Sequence, residues 1–172
     1  ALATCLFTWL LIGVGGIVTS QGVGMSVPDW PNTYGYNMFY FPLSQWVGGI
    51  FWEHSHRLMA SLVGLMTLIL TIWSHGRSGR SLLRYVILPL SILLTFLVLI
   101  NAENNTLQHA SITGGTGFIA LFASFFWPRM KPASKLMRKL CWIALIMVIG
   151  QGLLGGLRVT LYKDEIGIIH AT

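Results

Sequence analysis

Long apolar runs separated by short polar connections dominate the chain. Five full runs and the start of a sixth are visible, at residues 2–23, 51–73, 82–102, 112–127, 140–157 and 166–172. A helix that spans a bilayer needs about 17–25 mostly apolar residues. The pattern therefore predicts an all-α, polytopic membrane bundle with five transmembrane helices and the beginning of a sixth, folded as a single membrane domain over 1–172.

Composition supports this class and excludes others. The chain is 54% hydrophobic and only 9% charged, whereas soluble domains carry about 25% charged residues. The formal charge of +6 does not indicate nucleic-acid binding, because the basic residues lie in short connections and form no basic face. Cys5 and Cys141 both lie in apolar runs, so we expect buried structural thiols and no disulfide.

The distribution of positive charge predicts the orientation. Lys and Arg concentrate in the cytoplasmic connections of membrane proteins. The loop 24–46 and the connection around Glu103 have neither residue type. The N-terminus is therefore expected in the cytoplasm and the loop 24–46 outside. Eight of the eleven basic residues follow the second or fourth run, namely Arg77, Arg80, Arg84, Arg129, Lys131, Lys135, Arg138 and Lys139.

Ionisable residues stand at the head of the second run, in "WEHSHR". Burying such groups in a membrane is costly, so they usually serve a function. Helical spacing puts Glu53 and His56 at the top of one face, and it directs His54 elsewhere, as an interfacial residue. The rest of that face is small, with Ala60, Gly64 and Thr67, while the opposite face carries Leu58, Leu62, Leu65 and Ile69.

Two histidines on different runs are expected at similar depth. Trp52 and Trp73 are separated by about 31 Å of helix, which matches a hydrocarbon core of about 30 Å. Trp52 then marks the outer interface, and His56 lies about one turn inside it. By the same count His170 lies about one turn into the sixth run, also from the outside.

An imidazole beside a face of small residues suits axial ligation of heme iron. His56 and His170 are therefore candidate iron ligands. Glu53 could transfer protons or orient a ligand, and Arg57 could hold a heme propionate. The alternative is a helix-packing stripe capped by a Glu53–Arg57 ion pair at i,i+4.

Other segments are expected to be structural. The stretch "SVPDWPNTYGY" at 26–36 predicts an ordered loop that could act as a lid, with Asp29 as a turn residue. The "GLLGG" stretch at 152–156 and the glycines at 13–16 predict helix packing. His75 and His109 are expected in solvated loops.

Three stretches together resemble the heme A synthase family, whose members assist the assembly of cytochrome c oxidase. They are "GGIVTSQGVGMSVPDWPNTYG", "GGIFWEHSHRLMASLVGLMTLIL", and "QGLLGGLRVT" followed by "IGIIHAT". The resemblance covers about residues 13–73 and 140–172. Residues 81–130 depart from the family pattern and form an expected inserted hairpin. The loop 24–46 also lacks the Cys pair of many members, and Ser20 stands where an Arg is frequent.

The resemblance implies an integral protein of the bacterial inner membrane with two similar four-helix halves, of which this chain is the N-terminal half. It implies an oxidoreductase that converts the heme O C8 methyl group to the formyl group of heme A near the outer face. His56 and His170 would bind the substrate heme, Glu53 would be the essential acid, and a heme b cofactor would occupy the second half. Implied partners are heme O synthase, the cytochrome c oxidase assembly machinery and a membrane electron acceptor.

Two rival functions remain. A non-catalytic b-type cytochrome would use the same two histidines without needing Glu53. A heme-free transporter or assembly factor would use Glu53 and Arg57 only as a packing pair.

Overall fold

The computed structural model of the protein describes residues 1–101 and 106–171. The predicted all-α class is confirmed. A short antiparallel hairpin lies in the connection between the first two long helices. Its strands, β1 (Asn32–Thr33) and β2 (Tyr36–Asn37), have two residues each. The helices are α1 (Leu2–Ser20), α2 (Gly48–Ser74), α3 (Gly79–Leu82), α4 (Leu88–Ile100), α5 (Thr106–Phe125), α6 (Lys135–Leu161) and α7 (Asp164–Ala171).

Four helical stretches in the described part of the chain are long and apolar enough to span a membrane: Leu2–Ser20, Gly48–Ser74, Gly76–Ile100 and Lys135–Leu161. They correspond to predicted runs one, two, three and five, and they support an integral membrane protein. The fourth run also forms a helix, α5, but the polar and small residues of its first half keep its hydropathy below that of the other four. The predicted connection around Glu103 lies outside the described residues.

Several local predictions need correction. His109 lies within helix α5 and not in a loop, because the helix starts before the apolar run. Cys141 is buried as expected, but Cys5 is exposed, which suits a thiol on a helix face turned towards lipid. His75 follows the end of α2 in a connection, as expected, but it is half-buried and not fully solvated. Its Nε2 accepts a hydrogen bond from the indole of Trp142 at 3.3 Å.

The chain divides into two compact units, Ala1–Leu68 with Ile143–Thr172, and Ile69–Trp142. The first unit contains α1, most of α2, the second part of α6 and α7. Within it, Gly64 of α2 faces Val148 of α6, which is consistent with the expected small-residue face. On the opposite face, Leu65 is 53% exposed, as expected for a surface that meets lipid.

The second unit contains the predicted hairpin 81–130, formed by α4 and α5. Thr95 donates to Thr113 at 2.9 Å across the two helices. A π-helical segment, Leu83–Ile87, precedes α4. Pro89 explains this segment, because a proline inside a helix has no N–H and its ring clashes with the carbonyl four residues earlier. A widened turn relieves both problems.

The loop between α1 and α2 is ordered, as expected. Its hairpin turns at Tyr34 and Gly35, whose φ angles of 49° and 78° suit the tight turn that joins twisted strands. The Asp29 carboxylate accepts from both backbone N–H groups of this turn, at 2.8 and 2.7 Å. The prediction that Asp29 is a turn residue is therefore confirmed.

Candidate functional site

The two candidate iron ligands lie together inside the first unit. The ring centroids of His56 on α2 and His170 on α7 are 6.3 Å apart, and the ring planes are inclined at 79°. Two imidazoles that share one metal through collinear bonds of about 2.0 Å have ring centroids about 6 Å apart. The observed separation matches this value, and it is also that of an ordinary T-shaped contact between two rings.

The surroundings of His170 favour a defined tautomer. Its Nδ1 lies 3.0 Å from Oε1 of Gln151 on α6. With the amide in this orientation, Nδ1 carries the proton and Nε2 keeps its lone pair. A hydrogen bond from the second nitrogen is the usual support of a metal-binding histidine. Gln151 therefore favours the tautomer in which Nε2 of His170 can accept or bind.

His56 is in a different state. Its Nδ1 is buried and has no hydrogen-bond partner among the described residues, although the backbone of Leu11 in α1 is close enough to influence the ring. A buried imidazole without full hydrogen bonding is destabilising unless another group satisfies it. Ligation of a metal through Nδ1 would satisfy this atom, whereas ligation through Nε2 would leave its deficit unchanged.

A glycine makes room for each imidazole. A Cβ on Gly15 of α1 would lie 3.0 Å from Cε1 of His56, and a Cβ on Gly155 of α6 would lie 3.2 Å from Cε1 of His170. Their neighbours Gly13, Gly16 and Gly152 would meet nothing within 4 Å. Helix packing was the expected role of the glycines at 13–16 and 152–156. Two of these glycines, Gly15 and Gly155, lie against the histidine rings.

The side chains that lie together at this site offer two imidazoles to a bound group. No group of three or more His, Cys, Asp or Glu side chains that could hold a metal occurs in the described part of the chain. Two nitrogens alone suit a metal whose other positions are already filled, as a porphyrin fills them in heme. The residues present thus fit the two axial positions of one heme iron.

Glu53 and Arg57 form the expected i,i+4 pair, with Nη2 of Arg57 2.6 Å from Oε1 of Glu53. Both groups also bind the α1–α2 loop. Oε2 of Glu53 accepts from the backbone N–H of Val27 at 2.7 Å. Arg57 donates to the carbonyl oxygens of Val27, Asp29 and Asn32 at 2.8, 2.7 and 3.1 Å.

These bonds use all four N–H groups on the two Nη atoms of Arg57, out of the five that a guanidinium has. A propionate could reach only the remaining Nε–H or would have to displace a loop carbonyl. The role of Arg57 in binding a heme propionate, like that of Glu53 in proton transfer, stays a prediction.

The expectation that His54 is interfacial is wrong. Its side chain is fully buried and packs against the rings of Phe41 and Trp46, with centroids 5.1 and 4.6 Å away. Its Nδ1 shares a hydrogen bond of 3.1 Å with Oγ1 of Thr33. The loop folds back over the head of α2, and helical spacing alone could not reveal that cover.

Trp30 makes a contact with α6 that the sequence analysis did not predict. Its indole lies on Gly156 of α6, so closely that a Cβ at that position would overlap the ring. Gly156 is the neighbour of Gly155, which lies against His170. The loop between α1 and α2 therefore contacts α6 one residue from the position that packs against His170.

Arg158 lies close to His170 as well. Its side chain passes between Gly24 in the loop and Gly167 in α7, and its charge acts on the imidazole of His170. The sequence pattern had pointed to no contact for Arg158. Gln151 could have been found, since a polar residue inside an apolar run usually has a partner.

Searches with the chain against protein-family models, curated proteins and solved structures found no match. The fold and the site together define a helical membrane protein in which two histidines from different helices lie side by side.

Proposed function

We propose that this chain is a membrane heme protein in which His56 and His170 are the two axial ligands of one heme iron. The observation that carries the proposal is the separation of 6.3 Å between the two ring centroids. It is supported by the hydrogen bond from His170 to Gln151 and by the glycine beside each ring.

We further propose that the function is of the heme A synthase type. The substrate is heme O, whose C8 methyl group is oxidised to the formyl group of heme A for cytochrome c oxidase assembly. Conversion of a methyl to a formyl group takes up one water and releases four electrons and four protons. The reaction therefore needs a membrane electron acceptor and a nearby route for protons.

In this proposal the chain crosses the membrane five times before α7, with the N-terminus in the cytoplasm of a bacterial cell. The loop between α1 and α2 and the histidine pair then lie near the outer face of the inner membrane. The charge distribution supports this orientation, because Lys and Arg are absent from residues 24–46. Proposed partners are heme O synthase and the cytochrome c oxidase assembly machinery.

The protein's own groups have defined tasks in this scheme. His56 and His170 hold and orient the heme between α2 and α7. Glu53 lies one helical turn from His56 and is the candidate for proton transfer. To act in this way its carboxylate must exchange at least one of its two present partners, the Val27 N–H and Arg57.

One observation favours a second function, that of a b-type cytochrome that transfers electrons without chemistry on the porphyrin. Both Glu53 oxygens are engaged in holding the loop, and a cytochrome requires no free acid. This alternative uses the same histidines and predicts heme B as the resident group.

Extraction of bound heme separates these functions. The full chain is purified in mild detergent from cells that make heme O, and the extract is analysed by HPLC and mass spectrometry. The synthase proposal predicts heme O, heme A or a hydroxylated intermediate, which disappears in His56→Ala and His170→Ala. Heme B alone would support the cytochrome, and no heme at all would refute both.

A further inference from the structure

Three ionisable side chains at the head of α2 bind the same loop segment. His54 shares a hydrogen bond with Thr33, Glu53 accepts from Val27, and Arg57 donates to three carbonyl groups of the segment. We call these three side chains the loop anchor. An arginine has the fixed fork geometry needed for several carbonyl groups at once.

Arg57 binds the backbone on both sides of Trp30 in the sequence. The carbonyl groups that bind Nη1 belong to Asp29, immediately before Trp30, and to Asn32, two residues after it. The backbone on both sides of the indole is thereby fixed to α2. Glu53 holds the guanidinium in place, because it binds Nη2 at 2.6 Å and is itself only 4% exposed.

Trp30 in turn covers α6 beside the ligand pair. Its indole rests on Gly156, and the preceding residue, Gly155, is packed against His170. An indole packed on Gly156 restrains α6 at the residue next to the one that contacts His170. A fixed supporting contact of this kind is what keeps a metal ligand in its productive geometry.

We propose that Glu53 and Arg57 are positioning residues, which hold Trp30 against α6 and thereby slow the loss of heme from the histidine pair. The proposal rests on the proposed heme function but makes one claim that is independent of it, namely that the anchor fixes the loop. If the Nη donors of Arg57 stay with the loop, only its Nε–H is left for a heme propionate.

The independent claim is tested without heme. Phe39 and Tyr40 in the loop are exposed and are chymotrypsin sites. Glu53→Ala and Arg57→Ala are each expected to speed cleavage there, with helix content unchanged by circular dichroism. Arg84→Ala is the matched control. It removes an arginine that donates to Ser124, and both residues belong to the second unit, away from the anchor. Equal cleavage rates in the parent and the anchor variants would overturn the proposal.

The claim about heme is tested by transfer of heme from the loaded chain to excess apomyoglobin. Trp30→Ala and Arg57→Ala are each expected to raise the rate by about tenfold, within the range of coupled contacts. Since both act through the same contact, the double variant should be little faster than either single one. If the rate increase in the double variant equals the product of the two single increases, the two residues act independently. That result would overturn the link through Trp30.

Two further variants separate positioning from direct chemistry or misfolding. Gly156→Ala displaces the indole without touching the anchor and should reproduce the fast heme loss. Arg57→Lys should not restore slow loss, because one ammonium cannot serve the same four acceptors. Slow heme loss in both variants would contradict the proposal. A parent chain that binds no heme but shows the expected cleavage pattern would refute the heme function and leave the loop anchor intact.

Discussion

The imidazole rings of His56 and His170 lie 6.3 Å apart, at 79° to each other, although α2 and α7 are far apart in the sequence. No hydrogen bond joins the two rings among the described contacts. This spacing is that of a T-shaped ring contact, and under the proposed function both imidazoles would bind one heme iron. The proposed function gives a reason for two histidines from separate helices to lie side by side.

The glycines beside the rings provide a matched test. Gly15→Ala puts a methyl group 3.0 Å from His56, whereas Gly16→Ala meets nothing within 4 Å. Alanine favours helix formation over glycine by about 1 kcal/mol, so neither change should destabilise α1 itself. We expect Gly15→Ala to lower heme occupancy and Gly16→Ala to leave it unchanged, as measured by the ratio of Soret to protein absorbance.

The same comparison applies to α6, with Gly155→Ala as the test and Gly152→Ala as the control. Occupancy that falls equally in both members of either pair would show that these glycines do not act through the histidines.

Gln151 should tune the ligand strength of His170. Gln151→Leu removes the acceptor of the Nδ1 hydrogen bond, and loss of such a supporting contact weakens metal binding by about 10–100-fold. Gln151→Glu supplies a charged acceptor, which makes the imidazole a stronger donor to the metal and should lower the midpoint potential of the heme.

Heme titration and redox potentiometry measure the two effects. A Gln151→Leu chain with unchanged affinity, or a potential that rises in Gln151→Glu, would be inconsistent with His170 as a ligand.

The bond between Thr33 and His54 should contribute to stability. Both side chains are fully buried, and Nε2 of His54 has no other partner among the described residues. Thr33→Val leaves Nδ1 unsatisfied too, at a cost of about 1–3 kcal/mol. We expect a lower melting temperature in detergent than for the parent chain.

Thr116→Val is the control for this change, because the Thr116 hydroxyl is exposed and donates to the Ile112 carbonyl of its own helix. Equal melting temperatures for the two variants would show that the bond to His54 does not stabilise the protein.

Much of the fold followed from the sequence, because apolar runs and turn residues are local signals. The helices α1, α2, α4 and α6 and the turn at Asp29 fall where the pattern puts them. The start of α5 was misplaced, since Gln108, His109 and Ser111 are polar and their helix is not visible as an apolar run.

The site was only partly predictable. The depth count brought His56 and His170 together, because both lie one turn inside an apolar run. The cover over His54 and the contact of Trp30 with Gly156 depend on how a long loop folds back onto two helices. No periodicity in the sequence encodes that path.

The most direct test of the central claim is electron paramagnetic resonance of the purified, heme-loaded ferric chain. Two imidazoles with nearly perpendicular planes give a low-spin signal of high anisotropy, and the angle of 79° predicts this type. The signal should be lost in His56→Ala and in His170→Ala, with a high-spin signal or loss of heme in its place. A low-spin signal that survives either substitution would contradict the assignment of this pair as the heme ligands.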